Sequence, residues 1–413
     1  MKSLNVELYG NLLGSLTFGD KGCDFHVDER VFEKYPVAST IMSLAVPLVP
    51  RYTNVQKSKV RNFFSELLPE GRNLDWVNQT LPPEERNVFG ILRKYGKDIA
   101  GALMIYDPRD MDSSKAPSAE KIDSQKIRYL FEHMSREPLA NSPLSGKTSL
   151  GGVQGKIVLV KENNSWHRAH YGYPSTHILK PVVSEYPTMI YDEAFCMQLA
   201  YELGLTRHPV WIENFDGIDA LVIERYDRDG EVQNRRIHQE DFSQVLGARG
   251  SEKYQEYSGK VSAKRIAETL SRFCGEDVEK FARQLIFAAA IGNLDMHSKN
   301  VSVIHYPDQK VCLAPVYDQV PLRHQGTDGR MALALGREYI HANLTIDKIA
   351  DELVSWKTAC FTAKSETADF VENCLKSCYS ALENMVPHKN AYPDLKKDID
   401  SFITNLLSGK RAG

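Results

Sequence analysis

The chain has 413 residues, of which 42% are apolar and 25% charged, and its formal net charge is −3 at pH 7. That balance fits a well-cored globular protein of more than one domain and excludes a surface that is basic throughout, so any nucleic-acid contact has to be a local patch. No run of about 18 apolar residues occurs, and the segment from Met1 to Tyr9 alternates like a strand, so the reading is a cytoplasmic protein without a membrane partner. Seven scattered cysteines read as buried free thiols. Cys374 and Cys378, four apart on a predicted helix, lack the second pair or histidine cluster that a zinc site needs.

In chain order, Asn5 to Tyr9 and Leu13 to Phe18 flank Gly10-Asn11 and predict a β-hairpin. Val60, Phe63, Phe64, Leu67 and Leu68 recur at helical spacing until Pro69-Glu70-Gly71 stops them. Val88, Ile91 and Leu92 mark a second helix ending at Gly96, and Ile99 to Tyr106 reads as an apolar strand. The stretch from Asp107 to Glu120 is polar and rich in Asp, Ser and Pro, which predicts a linker or surface excursion. Strands then dominate from about Thr148 to Asp227, and helices from about Gln239 onward. The domain expectation is 1–106, an N-terminal subdomain; 107–140, the linker; 141–228, a β-rich core; and 229–413, a helical region.

Chemistry concentrates at residues 292–300, where Asp295 and Asn300 stand five apart in one loop. Phosphoryl transfer uses such a pair: the Asp accepts or orients the proton of the attacking hydroxyl, and the Asn holds a metal ion. His297 between them either supports the loop or touches nucleotide. Upstream, Gly151, Gly152, Val153, Gln154, Gly155 and Lys156 lead into the apolar strand Ile157 to Val160. Without Cβ atoms, such a backbone comes close to phosphates and offers N–H donors, although the pattern matches no standard phosphate loop. Lys180 ends a β-prone run, and Pro181 blocks further pairing. A helix follows, with Asp192 read as its N-cap, Gly204 as its C-terminal cap and Glu193 as either a lysine partner or a helix-dipole residue. Ala220 to Ile223 is a strand that breaks into Glu224, Arg225, Tyr226, Asp227 and Arg228, a hinge whose backbone can read adenine or else a charged strand end. Two strands, Val301 to His305 and Val311 to Val316, deliver Tyr317 and Asp318, a carboxylate from a second segment that completes a Mg²⁺ pair with Asn300. Lys299 and Tyr317, neighbours of Asn300 and Asp318, belong with the nucleotide-contacting set.

Together these segments stand in protein-kinase order, and the chain resembles the HipA-type serine/threonine kinases, toxins of bacterial toxin–antitoxin pairs. The residues carrying the resemblance are Leu67 to Arg72, Gly96 to Ala102, Ser149 to Lys156, His177 to Lys180, Glu224 to Arg228, Gly292 to Asn300 and Tyr317-Asp318. It implies an α+β, bilobal kinase-like fold: a β-rich N-terminal lobe with an extra N-terminal subdomain, and a large helical C-terminal lobe. It also implies Asp295 as the catalytic residue, Asn300 and Asp318 as Mg²⁺ ligands, and Lys180 on the phosphates of ATP. Residues 151–156 would cover those phosphates, Glu224 to Tyr226 would meet adenine, and Ser149 would be an inactivating autophosphorylation site. Implied partners are a HipB-like helix-turn-helix antitoxin and a translation component, an aminoacyl-tRNA synthetase or another factor. The region from Asn343 to Lys348 lacks the lysine cluster of the best-known members, so DNA is expected only through the antitoxin. The competing readings are a kinase-like binding subunit in a repressor complex and a small-molecule kinase on the same fold.

Overall fold

A computed structural model describes residues 3–19, 21–152, 154–232 and 235–413. The chain divides into two compact units: residues 1–181, 213–240 and 304–310 in the first, and 182–212, 241–303 and 311–413 in the second.

The first unit opens with β1 (Ser3–Leu8), β2 (Asn11–Gly19) and β3 (Gly22–Val27). Tyr9 and Gly10, at φ 51° and 73°, make the left-handed turn that joins the first two strands, and the Asn11 side chain donates to the Tyr9 carbonyl at 2.8 Å. Helix α1 (Asn54–Ser65) starts at a capping box in which Thr53 and Gln56 satisfy each other's backbone N–H. Then come α2 (Gly71–Gln79), α3 (Val88–Tyr95) and β4 (Leu103–Tyr106). The four strands form one antiparallel sheet in the order β3-β2-β1-β4, and Leu4, Val6, Leu16, Phe63, Phe64 and Leu92 pack in its core. Strand β4 is shorter than the sequence suggested because Gly101, at φ 79°, turns the chain before Leu103.

The polar stretch after Tyr106, expected as a linker or surface excursion, carries regular elements of its own. Asp107 is buried against the Arg109 guanidinium, and β5 (Ser118–Ile122) and α4 (Ser124–Glu132) follow. Strand β5 pairs with β7 (Ser165–His170), which pairs with β6 (Ile157–Glu162). With β8 (His177–Pro181), β9 (Val210–Phe215) and β10 (Ile218–Glu224) they make a six-stranded sheet ordered β5-β7-β6-β8-β10-β9.

The second unit is mainly helical. Its α5 is Met189–Glu202, and Thr188, not Asp192, occupies the N-cap position; Gly204 follows the helix at φ 69°. After β11 (His238–Asp241), which belongs to the first unit up to Glu240, come α6 (Phe242–Leu246), α7 (Gln255–Ser258), α8 (Ala263–Phe273) and α9 (Val278–Ile291). Next are β12 (Ser302–His305), β13 (Val311–Leu313), β14 (Arg330–Leu335) and β15 (Glu338–Ile340). Strand β13 stops at Leu313, short of the expected Val316. The chain closes with α10 (Ile346–Ser355), α11 (Lys364–Glu383) and α12 (Leu395–Leu407), and α11 packs on α9, α10, α12 and α5. Among the described residues no helix is long and apolar enough to cross a membrane. Cys374 and Cys378 are buried free thiols, and no group of three or more metal-ligating side chains assembles among the described residues.

Candidate active site

In the first unit, the glycine-rich segment is docked against its own domain. Ser149 is fully buried; its N–H donates to the Asp98 carbonyl at 2.9 Å and its Oγ to the Leu67 carbonyl at 3.4 Å. Gly152, at φ 96°, takes a conformation that side chains disfavour, and Lys156 Nζ donates to the Gly151 carbonyl at 2.7 Å. Gln154 and Gly155 complete the turn into β6, and Val153 lies outside the described residues. Lys180 is buried on β8, opposite Leu221 of β10 and in the interior of the sheet.

Strand β10 ends at Glu224, opposite His177, and the segment after it is fixed by buried charge. Arg225 donates through Nε and Nη2 to Asp227, through Nη1 to Ser175 Oγ and through Nη2 to the Ile99 carbonyl, while its backbone N–H goes to Thr176. Those bonds engage its guanidinium and its N–H. Tyr226 donates its hydroxyl to Gln239. Arg228 reaches Asp98 at 2.9 Å, with Asp227 and Arg236 beside it. Burial opposes ionisation of the two carboxyls, yet the Arg228, Arg225 and Arg236 guanidiniums hold Asp98 below the usual carboxylate range, and Arg225 and Arg228 do the same for Asp227.

In the second unit, α9 ends at Gly292, whose φ of 69° releases the chain into the loop carrying Asp295. A Cβ there would lie 2.9 Å from the Phe402 ring. The loop is over-determined by hydrogen bonds. Asn293 Oδ1 accepts from the Asp295 N–H at 2.9 Å, and Asn300 Nδ2 donates to the Asp295 carbonyl at 2.9 Å. Tyr254 donates its hydroxyl to Asp295 Oδ1 at 3.0 Å, and its ring meets His297 edge-on. His297 is buried, with Nε2 3.8 Å from Asp295 Oδ2. The Asp295 side chain remains 43% exposed, so a macromolecular hydroxyl can reach it.

Asn300 of this loop and Asp318, in the segment after β13, are the residues expected to hold a metal ion. With Nδ2 donated to the main chain, the Asn300 amide presents Oδ1 as its remaining donor atom. Asp318 sits at φ 55°, a left-handed conformation that Asp tolerates, just after Val316 N–H binds the Leu205 carbonyl. One carboxylate and one amide oxygen are the hard donors that Mg²⁺ takes when phosphates and water complete its shell, so these residues fit the ion. The Lys299 ammonium lies 3.8 Å from Asp241 with its side chain buried, and the Tyr317 hydroxyl donates to the Lys299 carbonyl at 2.7 Å and pairs with Ser302 Oγ at 2.6 Å. Both brace the loop. Sequence reading missed Tyr254, Asn293, Ser298 and Gln319. Ser298, fully buried, meets Ser243 Oγ at 2.7 Å, and Gln319 accepts from Asn293 at 3.2 Å and donates to the Tyr317 carbonyl at 3.0 Å. Asn293 and Ser298, both inside the 292–300 motif, carried a local signal; Tyr254 and Gln319 did not.

A glycine-rich segment, a buried strand lysine and an Asp-to-Asn loop backed by a second Asp define a protein-kinase-like fold. Comparison with known proteins specifies it further. A family model described as the HipA-like C-terminal domain matches residues 148–384, and one described as the HipA N-terminal domain matches residues 4–106. The putative kinase Y4mE of Sinorhizobium fredii is 31% identical over 360 residues, covering 84% of each chain. The serine/threonine-protein kinase toxin HipA of Shewanella oneidensis is 27% identical over 360 residues, covering 82% of this chain and 80% of that one. In fold, the chain is similar to a solved Shewanella oneidensis toxin–antitoxin complex of HipA, HipB and operator DNA, with a TM-score of 0.77 at 22% identity over 98% of this chain and 96% of that one. The chain belongs to the HipA-like kinase family.

Proposed function

We propose that the chain is an ATP- and Mg²⁺-dependent serine/threonine protein kinase, the toxin of a bacterial toxin–antitoxin pair acting in the cytoplasm. The observation that carries this reading is the state of Asp295: its main chain is fixed by Asn293 and Asn300, one carboxylate oxygen is held by Tyr254, and the side chain is open to a substrate hydroxyl. Asp295 orients that hydroxyl and takes its proton. Bound ATP·Mg²⁺ supplies the phosphoryl group and screens its charge. Asn300 and Asp318 hold the ion, Lys180 holds phosphates, and Glu224, Arg225 and Tyr226 lie with adenine. Glu193, buried on the second turn of α5, is the partner assigned to Lys180.

Ser149 is the proposed autophosphorylation site. Its hydroxyl is fully buried on a backbone carbonyl, so a phosphate of about −1.5 to −2 charge cannot be held there, and its addition ejects the loop and stops turnover. The acceptor in other proteins is a translation component, foremost an aminoacyl-tRNA synthetase. The partner is a HipB-like antitoxin through which DNA is reached; this draws on the assembly of the Shewanella relative. Intact Asp295, Asn300 and Asp318 favour catalysis over a binding-only role. The test compares the phosphoproteome of cells expressing the chain with that of cells expressing Asp295→Ala. One dominant serine or threonine site on a translation component, absent from the variant, is expected; identical phosphoproteomes would sink the proposal.

A further inference from the structure

Two segments of the N-terminal domain, Leu67 to Arg72 and Gly96 to Ala102, stand out in the sequence yet take no part in the chemistry above. Both lead to the glycine-rich loop, within the first unit. The first ends beside Asn73 on α2, which is 1% exposed and whose Nδ2 donates to the Gly152 carbonyl at 3.0 Å and to the Gln154 carbonyl at 2.9 Å. Leu67 of the same segment supplies the carbonyl that receives Ser149 Oγ. The second segment contributes Asp98, which binds the loop base three ways. Its N–H donates to the Lys147 carbonyl at 3.0 Å, its carbonyl accepts from the Ser149 N–H at 2.9 Å, and its Oδ2 accepts from Thr148 Oγ1 at 3.1 Å.

We infer that the N-terminal domain is a clasp that sets the glycine-rich loop, with Asn73 as its positioning residue. A loop with three glycines in five residues loses much conformational entropy when it is fixed, and of its own side chains Lys156 holds only the Gly151 carbonyl among the bonds described. Asn73 does so by reading main chain: two carbonyls two residues apart are drawn to one amide nitrogen, which fixes the turn at Gly152. The Gly152 and Gln154 carbonyls are thereby turned toward the domain. Asp98 acts at the base of the loop and is also tied to the Arg228 guanidinium and to Ser175 Oγ, so the loop base and the strand-end charge cluster share one residue. The clasp gives this extra domain a purpose in a kinase chain: it presets the loop for phosphates and holds Ser149 in its buried place.

This inference rests on the kinase reading for its purpose but not for its test. Hydrogen exchange is followed by mass spectrometry on the full chain, comparing wild type with Asn73→Asp, which keeps the shape but sets a carboxylate against two carbonyls, and with Asn73→Ala, which removes the donors without adding charge. Asp75→Ala, an exposed change on the same helix, is the control. Exchange over residues 149–156 should quicken about tenfold or more in both Asn73 variants, with peptides from β1 to β4 unchanged, since local opening is governed by local bonds. The KM for ATP should rise by a similar factor with kcat nearly constant, the pattern of lost uniform binding. Unchanged loop exchange in both variants, or equal quickening throughout the domain, overturns the clasp. If the loop is released as expected but wild type transfers no phosphate, the clasp stands and the kinase reading falls.

Discussion

Asp295 and Asp98 show how one residue type serves opposite ends at different burial. Asp295 is half open and held by three neighbours in a pose for chemistry. Its replacement by alanine should lower phosphate transfer by about 10²–10⁴ while the thermal midpoint stays close to wild type, because a positioned acid–base group contributes about that much to rate and little to packing. Asp98 is fully buried and faces Arg228 and Arg236. Asp98→Ala should cost about 3–5 kcal/mol in urea unfolding, since it leaves guanidiniums uncompensated in the interior. That Asp295 and Asn300 stand together was legible because they are five residues apart in one loop. Tyr254 and Asn73 were not, since they reach their targets 41 and about 80 residues away through the fold. Of the two readings of the charged strand end, exposure to water fails at Arg225, which the fold buries beside the carboxylates of Asp227 and Asp98.

At the scale of elements, the hairpin, α1 and α3 were readable because their signals are local: a Gly-Asn turn, apolar residues at helical spacing and a closing glycine. The segment after Tyr106 was not, because β5 is mostly exposed and is made a strand by its pairing with β7, not by its own composition. Helix α5 shows the same effect. Asp192 looked like an N-cap but lies inside the first turn, fully buried, where it accepts from Thr188 Oγ1 at 2.7 Å, the Tyr392 N–H at 2.7 Å and His324 Nε2 at 3.1 Å. It ties α5 to the segment after Asp318 and to the segment before α12. Asp192→Ala should therefore destabilise by about 3–5 kcal/mol, read as a lower urea midpoint, whereas Thr53→Ala at the α1 capping box should cost only about 1 kcal/mol.

Over the whole molecule, stability is tied to neutral histidines. Burial pushes His177 and His341 down to about 4 and His238 to about 3; His238 and His341 pair Nε2 with the Met42 and Ala289 carbonyls at 2.7 Å. A folded pKa below the unfolded value of about 6.5 means that the unfolded chain binds more protons, so this stability is whole above about pH 6.5 and drains as pH falls toward 4. The Asp98 and Asp227 contribution, from depressed carboxyls, is lost only below about pH 4. Urea midpoints should thus fall steadily from pH 7 to pH 4.5, and a flat profile would contradict the burial of these rings. Fold class was legible because kinase-like motifs follow one another along the chain in fixed order; the contacts of the N-terminal domain with the loop were not, because Asn73 and Asp98 meet it across the fold, largely through main-chain groups that leave no sequence signature. The most direct test of the central claim is transfer of labelled phosphate from ATP with Mg²⁺ by the purified chain. Label on wild type, mapped to Ser149 and lost in Asp295→Ala, is the predicted result. Equal labelling of wild type and Asp295→Ala would contradict it.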